Sequence, residues 1–309
     1  MRHLSIGVFH DDMLGKDLGK KGTLSDIAMY DRKSEDCILT VMSPVEDKLS
    51  AKSQIISIID AAIVVFSQMT RELGETILLL DLMGVRDGII VTSPYATADH
   101  VSSIVEKTSL KSFRIEERDP VKLLELLKGV NPARDNASPP AIIIDHSFNV
   151  KGVGEVVLGF VKKGIVKKYD TLNLLPVGKE VLVRSIQVHD EDVEWVEAGT
   201  RVGLALKGAS VDELERGYVL SASDQFKIGS KTQLSFSKVP FYAEEIRQGA
   251  FHVTVGMQTF PLTIRDIMPE SIVIETSKPI VYESADIAIM LDLNAKKTRV
   301  MGKGKFATT

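Results

Sequence analysis

Between residues 141 and 222, short apolar runs recur roughly every eight to twelve residues, and Gly, Lys and Asp separate them. Runs this short do not supply the buried stripe of a helix. A strand, by contrast, hides alternate side chains and turns back at each polar break. The segment is therefore expected to close into a small antiparallel barrel. Residues 224 to 309 carry a related pattern (TQLSFSKV, AFHVTVGMQTFPLTIRDI, SIVIET, DIAIMLDL, TRVMGKGKF) without helical periodicity, which predicts a second barrel.

The first 130 residues read differently. The β-prone runs LSIGVF (4–9), CILTVM (37–42), AAIVVFS (61–67), GIIVTS (88–93) and SFRIEE (112–117) alternate with helical stretches near 50–59, 71–83 and 97–107. Leu73, Ile77 and Leu80 mark the buried face of the second helix, and Val101, Ile104 and Val105 that of the third. A fourth helix has Asp119 as N-cap, Pro120 in its first turn, Val121, Leu124 and Leu127 on one face, and Gly129 past its end. Strands buried on both faces and separated by helices predict a mostly parallel, doubly wound α/β sheet. The linker NPARDNASPP (131–140) closes this part. The expected organisation is an α/β domain over residues 1–138, then barrels over 139–223 and 224–309.

Apolar residues at 44% and charged residues at 26% describe a soluble globular chain. The single cysteine, Cys37, excludes an internal disulfide and suits a reducing cytoplasm. No apolar run approaches the roughly 20 residues of a membrane span, and the acidic MRHLSIGVFHDD does not read as a secretory signal. Net charge is −4, and residues 141–309 balance 21 Lys and Arg against 21 Asp and Glu. The chain is thus no bulk DNA binder, and any RNA contact must come from local patches. The candidates are Lys162, Lys163, Lys167 and Lys168, and a C-terminal group with Arg299, Lys303 and Lys305. The competing reading makes these lysines guards of a strand edge.

A doubly wound sheet invites a phosphate loop after its first strand, G-x-x-x-x-G-K-[ST], whose amides wrap the phosphates. Here LSIGVF runs into HDDMLGKDLGKKGT: Asp12 stands where the second Gly belongs, and Asp17 follows Gly15-Lys16. Asp11 and Asp12 would repel phosphate. Gly15, Lys16, Lys20, Lys21 and Thr23 retain the composition of such a loop without its spacing, and are read as a vestigial nucleotide site.

Residues 141–222 resemble the second domain of the EF-Tu class of translational GTPases, and within it the SelB branch. LGKKGTLSDIAMYD (18–31), TILLLDLMGVRDGIIVTS and IDHSFNV resemble EF-Pyl, a SelB-like factor of methanogenic archaea, so the likeness covers nearly the whole chain. The resemblance implies a degenerate GTPase-like domain followed by two barrels. It also locates the other nucleotide motifs. VMSPVED (41–47) stands where D-x-x-G is expected, and SPYATADH (93–100) where N-K-x-D would read guanine. The loss of three motifs argues against GTP hydrolysis, which rests on those parts.

In the SelB branch the second domain holds the aminoacylated end of tRNA. The resemblance carries that role onto I-D-H-S-F (144–148) and A-G-T-R-V-G (198–203), hence onto Asp145, His146 and Arg201, with Phe148 as a packing platform. Such a trio can accept an α-amino group and complement an anionic side chain. Equally, Asp145 and His146 can sit in an edge turn while Arg201 makes a structural ion pair. Trp195 reads as a packing residue of the barrel rim in preference to a base-stacking platform, and 208–217 as a short turn or helical cap. His189 has no second ligand at metal spacing, and no metal, hydrolase or redox constellation is present. His10 with Asp11 and Asp12 imitates a site at a strand's C-terminal end, a solvated loop being the simpler account.

The expectation is a translation elongation factor-like protein that binds tRNA or the ribosome, has lost GTP binding and holds no cofactor. Two alternatives stay open: a GTP- and Mg²⁺-dependent factor with an unusual loop built from GKDLGKKGT, and a protein-interaction scaffold without RNA. Neither the cognate tRNA nor the oligomeric state is legible.

Overall fold

A computed structural model describes residues 1–93 and 96–307; Pro94 and Tyr95 of the 93–100 segment lie outside the described residues. Strands β1 (Arg2–Phe9), β2 (Lys20–Leu24), β3 (Ile27–Lys33), β4 (Cys37–Pro44), β5 (Ala61–Phe66), β6 (Gly88–Thr92) and β7 (Arg114–Glu117) form one sheet in the order β2-β3-β4-β1-β5-β6-β7. The pairs β1–β4, β1–β5, β5–β6 and β6–β7 are parallel. β2 and β3 add an antiparallel edge. These two strands were not expected, because KKGTL carries no apolar alternation and IAMYDRK turns polar halfway.

Helices α1 (Leu14–Leu18), α2 (Leu49–Ile56), α3 (Arg71–Met83), α4 (Ala98–Val105) and α5 (Pro120–Leu127) connect the strands. α3 starts at Thr70, whose hydroxyl accepts from the Leu73 N–H, and ends at Gly84 with φ +71°. Leu73, Ile77 and Leu80 are buried on it as expected. α5 has its expected cap, with Asp119 accepting from the Val121 and Lys122 amides. Its buried face differs, however. Leu123, Leu124 and Leu127 point inward, whereas Val121 is 72% exposed. The i, i+4 pair Leu123–Leu127 sets the stripe, and Val121 lies a half-turn away.

The first barrel contains β8 (Ala141–Val150), β9 (Gly154–Lys163), β10 (Ile165–Lys167), β11 (Thr171–Leu175), β12 (Lys179–Val188), β13 (Glu191–Val193), β14 (Trp195–Glu197), β15 (Arg201–Lys207) and β16 (Val219–Ser221). The order β11-β16-β8-β9-β15-β12-β13, with β12 also paired to β11, closes six strands into a ring. Ile142, Ile144, Val157, Leu172, Val183 and Leu204 are among the side chains that fill it. The ribbon β10–β14 stands as a separate two-stranded sheet. β17 (Lys227–Lys238), β18 (Gly249–Val255), β19 (Gln258–Met268), β20 (Ser271–Tyr282), β21 (Ile287–Leu291) and β22 (Val300–Phe306) form a second closed barrel. The architecture is therefore an α/β domain followed by two all-β barrels.

By contacts, the chain gathers into two compact units. One holds Met1–Pro132 with Lys238–Glu245 and Ile289–Lys303; the other holds Ala133–Ser237, Ile246–Ala288 and the residues from Gly304. Among the described residues no helix is long and apolar enough to cross a membrane.

Candidate functional site

On the first barrel the feature that builds a site is a bulge. Ile144 of β8 opposes Gly159 and His146 opposes Leu158, so Asp145 is an extra residue in the ladder. A bulge re-aims the side chain it carries. Here it lets Ile144 and Asp145, adjacent in sequence, both be buried, Asp145 to 2% exposure. The Asp145 carboxylate lies 3.8 Å from Arg201 Nη2 and 3.8 Å from Arg216 Nε. Arg216 Nε also donates to the Asp145 carbonyl at 3.1 Å. Two guanidinium groups around one carboxylate leave a net positive charge at a mostly buried point.

Register places the remaining candidates. Arg201 opposes Phe160, and His146 and Phe148 oppose Leu158 and Val156. Directly opposed residues share a sheet face, so Arg201, His146 and Phe148 all lie on the outer face of three neighbouring strands. His146 and Phe148 are exposed, with ring centroids 6.1 Å apart and planes tilted by 43°. Three of the candidates thus share one outer face, with Asp145 buried next to Arg201. Arg216 is the member that sequence reasoning missed. It lies in the 208–217 turn, whose Val211–Glu213 helical turn is capped by Ser210, and the Gly217 amide fixes that segment to the Ile144 carbonyl at 2.8 Å.

The basic candidates divide. Lys162 contacts Asp286 at 2.7 Å and Glu283 at 2.9 Å, and buried Lys163 pairs with Glu283. Burial works against the Lys162 charge, but Asp286 and Glu283 outweigh it and raise its pKa above the usual lysine value. The charge of both lysines is committed inside the molecule. Arg299 is held by Glu75, and Lys303 donates to the Leu82 carbonyl at 3.0 Å. Lys167 and Lys305 are exposed, and Lys168 lies 3.5 Å from Glu194. Trp195 corrects the expectation of a packed rim residue. It opposes Lys167 while Val196 opposes buried Val166, and alternation leaves the indole 56% exposed.

At the C-terminal ends of the parallel strands, the turn after β1 is closed by its own side chains. Asp11 Oδ1 accepts from the Met13 and Leu14 amides at 2.8 and 2.9 Å, and Arg118 binds Asp11 and Asp17 at 2.9 and 2.7 Å. Burial opposes the Asp11 charge, but Arg118 and those amides hold its pKa below the usual carboxylate value. An internal carboxylate thus takes the amides that a phosphate loop would offer to an anion. Gly15 and Lys16 belong to α1, where Gly15 packs under Tyr30: a Cβ there would stand 2.7 Å from the ring. Lys20, Lys21 and Thr23 lie on the edge strand β2 instead.

A cleft of about 370 Å³ opens beside this turn, lined by His10, Asp12, Glu46, Asp47, Ser67 and Thr70 among others. His10, Glu46 and Asp47 have φ of +67°, +55° and +52°, a conformation rare outside glycine. Fully buried Lys52 reaches Asp47 at 2.7 Å, and His10 Nε2 lies 2.8 Å from the Thr76 hydroxyl. Burial, then the Lys52 ammonium, lowers the His10 pKa from 6.5 to about 4, against the pull of Asp47 and Glu72. In the same unit Glu75, 1% exposed, accepts from Arg299 Nη2 at 2.6 Å and from its backbone N–H at 2.8 Å. Of the groups lining the cleft, Asp12, Glu46 and Asp47 are acidic, and their charge opposes a triphosphate there. No cluster of three or more metal-ligating side chains occurs among the described residues.

The sequence model of elongation factor Tu domain 2 matches residues 154–221. An uncharacterised protein of Methanocaldococcus jannaschii is 37% identical over 99% of this chain and 100% of its own length. The selenocysteine-specific elongation factor of that organism is 30% identical over 74% of this chain, which spans only 53% of that factor. Among solved structures, elongation factor SelB of Methanococcus maripaludis with the GTP analogue GppNHp superimposes with a TM-score of 0.85 at 23% identity. That match covers 100% of this chain and 79% of the other. A bacterial selenocysteine-specific elongation factor gives 0.82 at 19% identity, covering 99% and 58%.

Proposed function

The chain belongs to the SelB/EF-Tu-like family, and on that footing we propose that it is a translation factor that holds the amino-acid-bearing end of a tRNA on its first barrel without using GTP. One observation carries this reading. The bulge at Asp145 sets a buried carboxylate between Arg201 and Arg216, while His146 and Phe148 present rings on the same outer face. Arg201 and Arg216 supply charge for a phosphate or an anionic acyl group, Asp145 orients them, and the two rings offer a surface for a terminal base. The self-satisfied turn after β1 supports the loss of nucleotide, since the anion role there belongs to Asp11.

Filter binding with one tRNA, aminoacylated and deacylated, tests the site. Arg201→Ala is expected to weaken the aminoacylated form about tenfold or more, the scale of a lost charge-assisted contact, and the deacylated form much less. Equal losses for both forms would remove the acyl end from this pocket.

A further inference from the structure

The first barrel carries the ribbon β10–β14, in which Ile165 opposes Glu197, Val166 opposes Val196 and Lys167 opposes Trp195. Val166 and Val196 are buried, so Trp195 and Lys167 face outward. Trp195 is the chain's single tryptophan and is 56% exposed; Tyr169, two residues beyond Lys167 at φ +71°, is 68% exposed. Scattered exposed aliphatic residues need no account. A solvent-facing indole on the ribbon and an exposed phenol in the turn that follows β10 are different, because these residue types anchor protein interfaces.

Charge then selects the partner. Asp190, Glu191, Asp192 and Glu194 all precede the indole and are exposed. Of the two lysines nearby, Lys168 lies 3.5 Å from Glu194 and 5.3 Å from the Tyr169 ring centre, which leaves Lys167 as the further cation. Four exposed carboxylates within five residues of the indole disfavour a phosphate backbone. They attract guanidinium and ammonium groups, which also gain by lying over an indole. We propose that this ribbon docks a basic segment of a protein partner, with an arginine or lysine over Trp195 and neighbouring cations facing Glu191, Asp192 and Glu194. The inference does not rest on the tRNA reading.

The lone tryptophan makes the test direct. An arginine-rich peptide titrated into the full chain at low salt is expected to change Trp195 fluorescence saturably, and salt to reverse the change. Replacing Glu191, Asp192 and Glu194 together by their amides should weaken binding about tenfold, whereas neutralising exposed Glu35, Asp36 and Glu106 should change it less than about twofold. Trp195→Ala, followed by anisotropy of a labelled peptide, should weaken binding about tenfold as well. Because these side chains are exposed, far-UV circular dichroism should be unchanged in every variant. Undiminished binding by the amide variant or by Trp195→Ala would overturn the proposal. So would oligouridylate perturbing Trp195 more strongly than the peptide, which would assign the face to RNA.

Discussion

Asp145 is sealed to 2% exposure, 3.8 Å from each of two guanidinium groups, and a buried carboxylate stripped of such partners is strongly destabilising. On the proposed reading, Asp145 positions Arg201 and Arg216 on the first barrel. In the α/β sheet, His10 has the opposite problem, because burial and Lys52 keep it neutral. Its pKa is about 4 in the folded chain and 6.5 when unfolded. The native form therefore refuses a proton that the unfolded chain accepts as pH falls below 6.5. Stability attributable to His10 is full above that pH and erodes down to pH 4, by about 2 kcal/mol between pH 6.5 and 5. Urea titrations at those two pH values should show the drop, and His10→Gln should flatten it. An unchanged slope in the variant would assign the pH dependence elsewhere. At this scale, motif resemblance singled out Asp145, His146 and Arg201 as candidates. Arg216, Lys52 and Asp47 were not, because ion pairs between distant elements leave no local pattern.

Elements were easiest to read where periodicity and caps agree. α3 follows its expected span because Thr70, the Leu73–Ile77–Leu80 stripe and Gly84 all point to the same helix. α5 was read with the right ends and a rotated face, since in eight residues Val121 and Leu123 compete for the same stripe. The structure predicts a clear split between them. Leu127→Ala, at a fully buried position, should cost about 2–5 kcal/mol in denaturant unfolding, while Val121→Ala should stay within about 0.5 kcal/mol. Similar losses for the two would contradict the observed orientation. The bulge in β8 and the edge strands β2 and β3 lay beyond sequence reading. A bulge appears only in the partner's register, and an exposed edge strand such as KKGTL needs no apolar face.

For the molecule as a whole, strand periodicity and the linker were enough to indicate an α/β domain followed by two barrels. Charge was less informative in bulk, since the balanced total of residues 141–309 conceals lysines already neutralised and carboxylates gathered beside Trp195. On the proposed reading, the grip on a tRNA end works apart from any triphosphate. Within the α/β domain Asp11 pairs with Arg118 and Asp47 with Lys52, while Glu75 pairs with Arg299 from a segment of the second barrel. The most direct test is the Kd for aminoacyl-tRNA with and without saturating GTP and Mg²⁺. The account predicts the same Kd within about twofold, under 0.5 kcal/mol of coupling; a tenfold or greater tightening by GTP would contradict it.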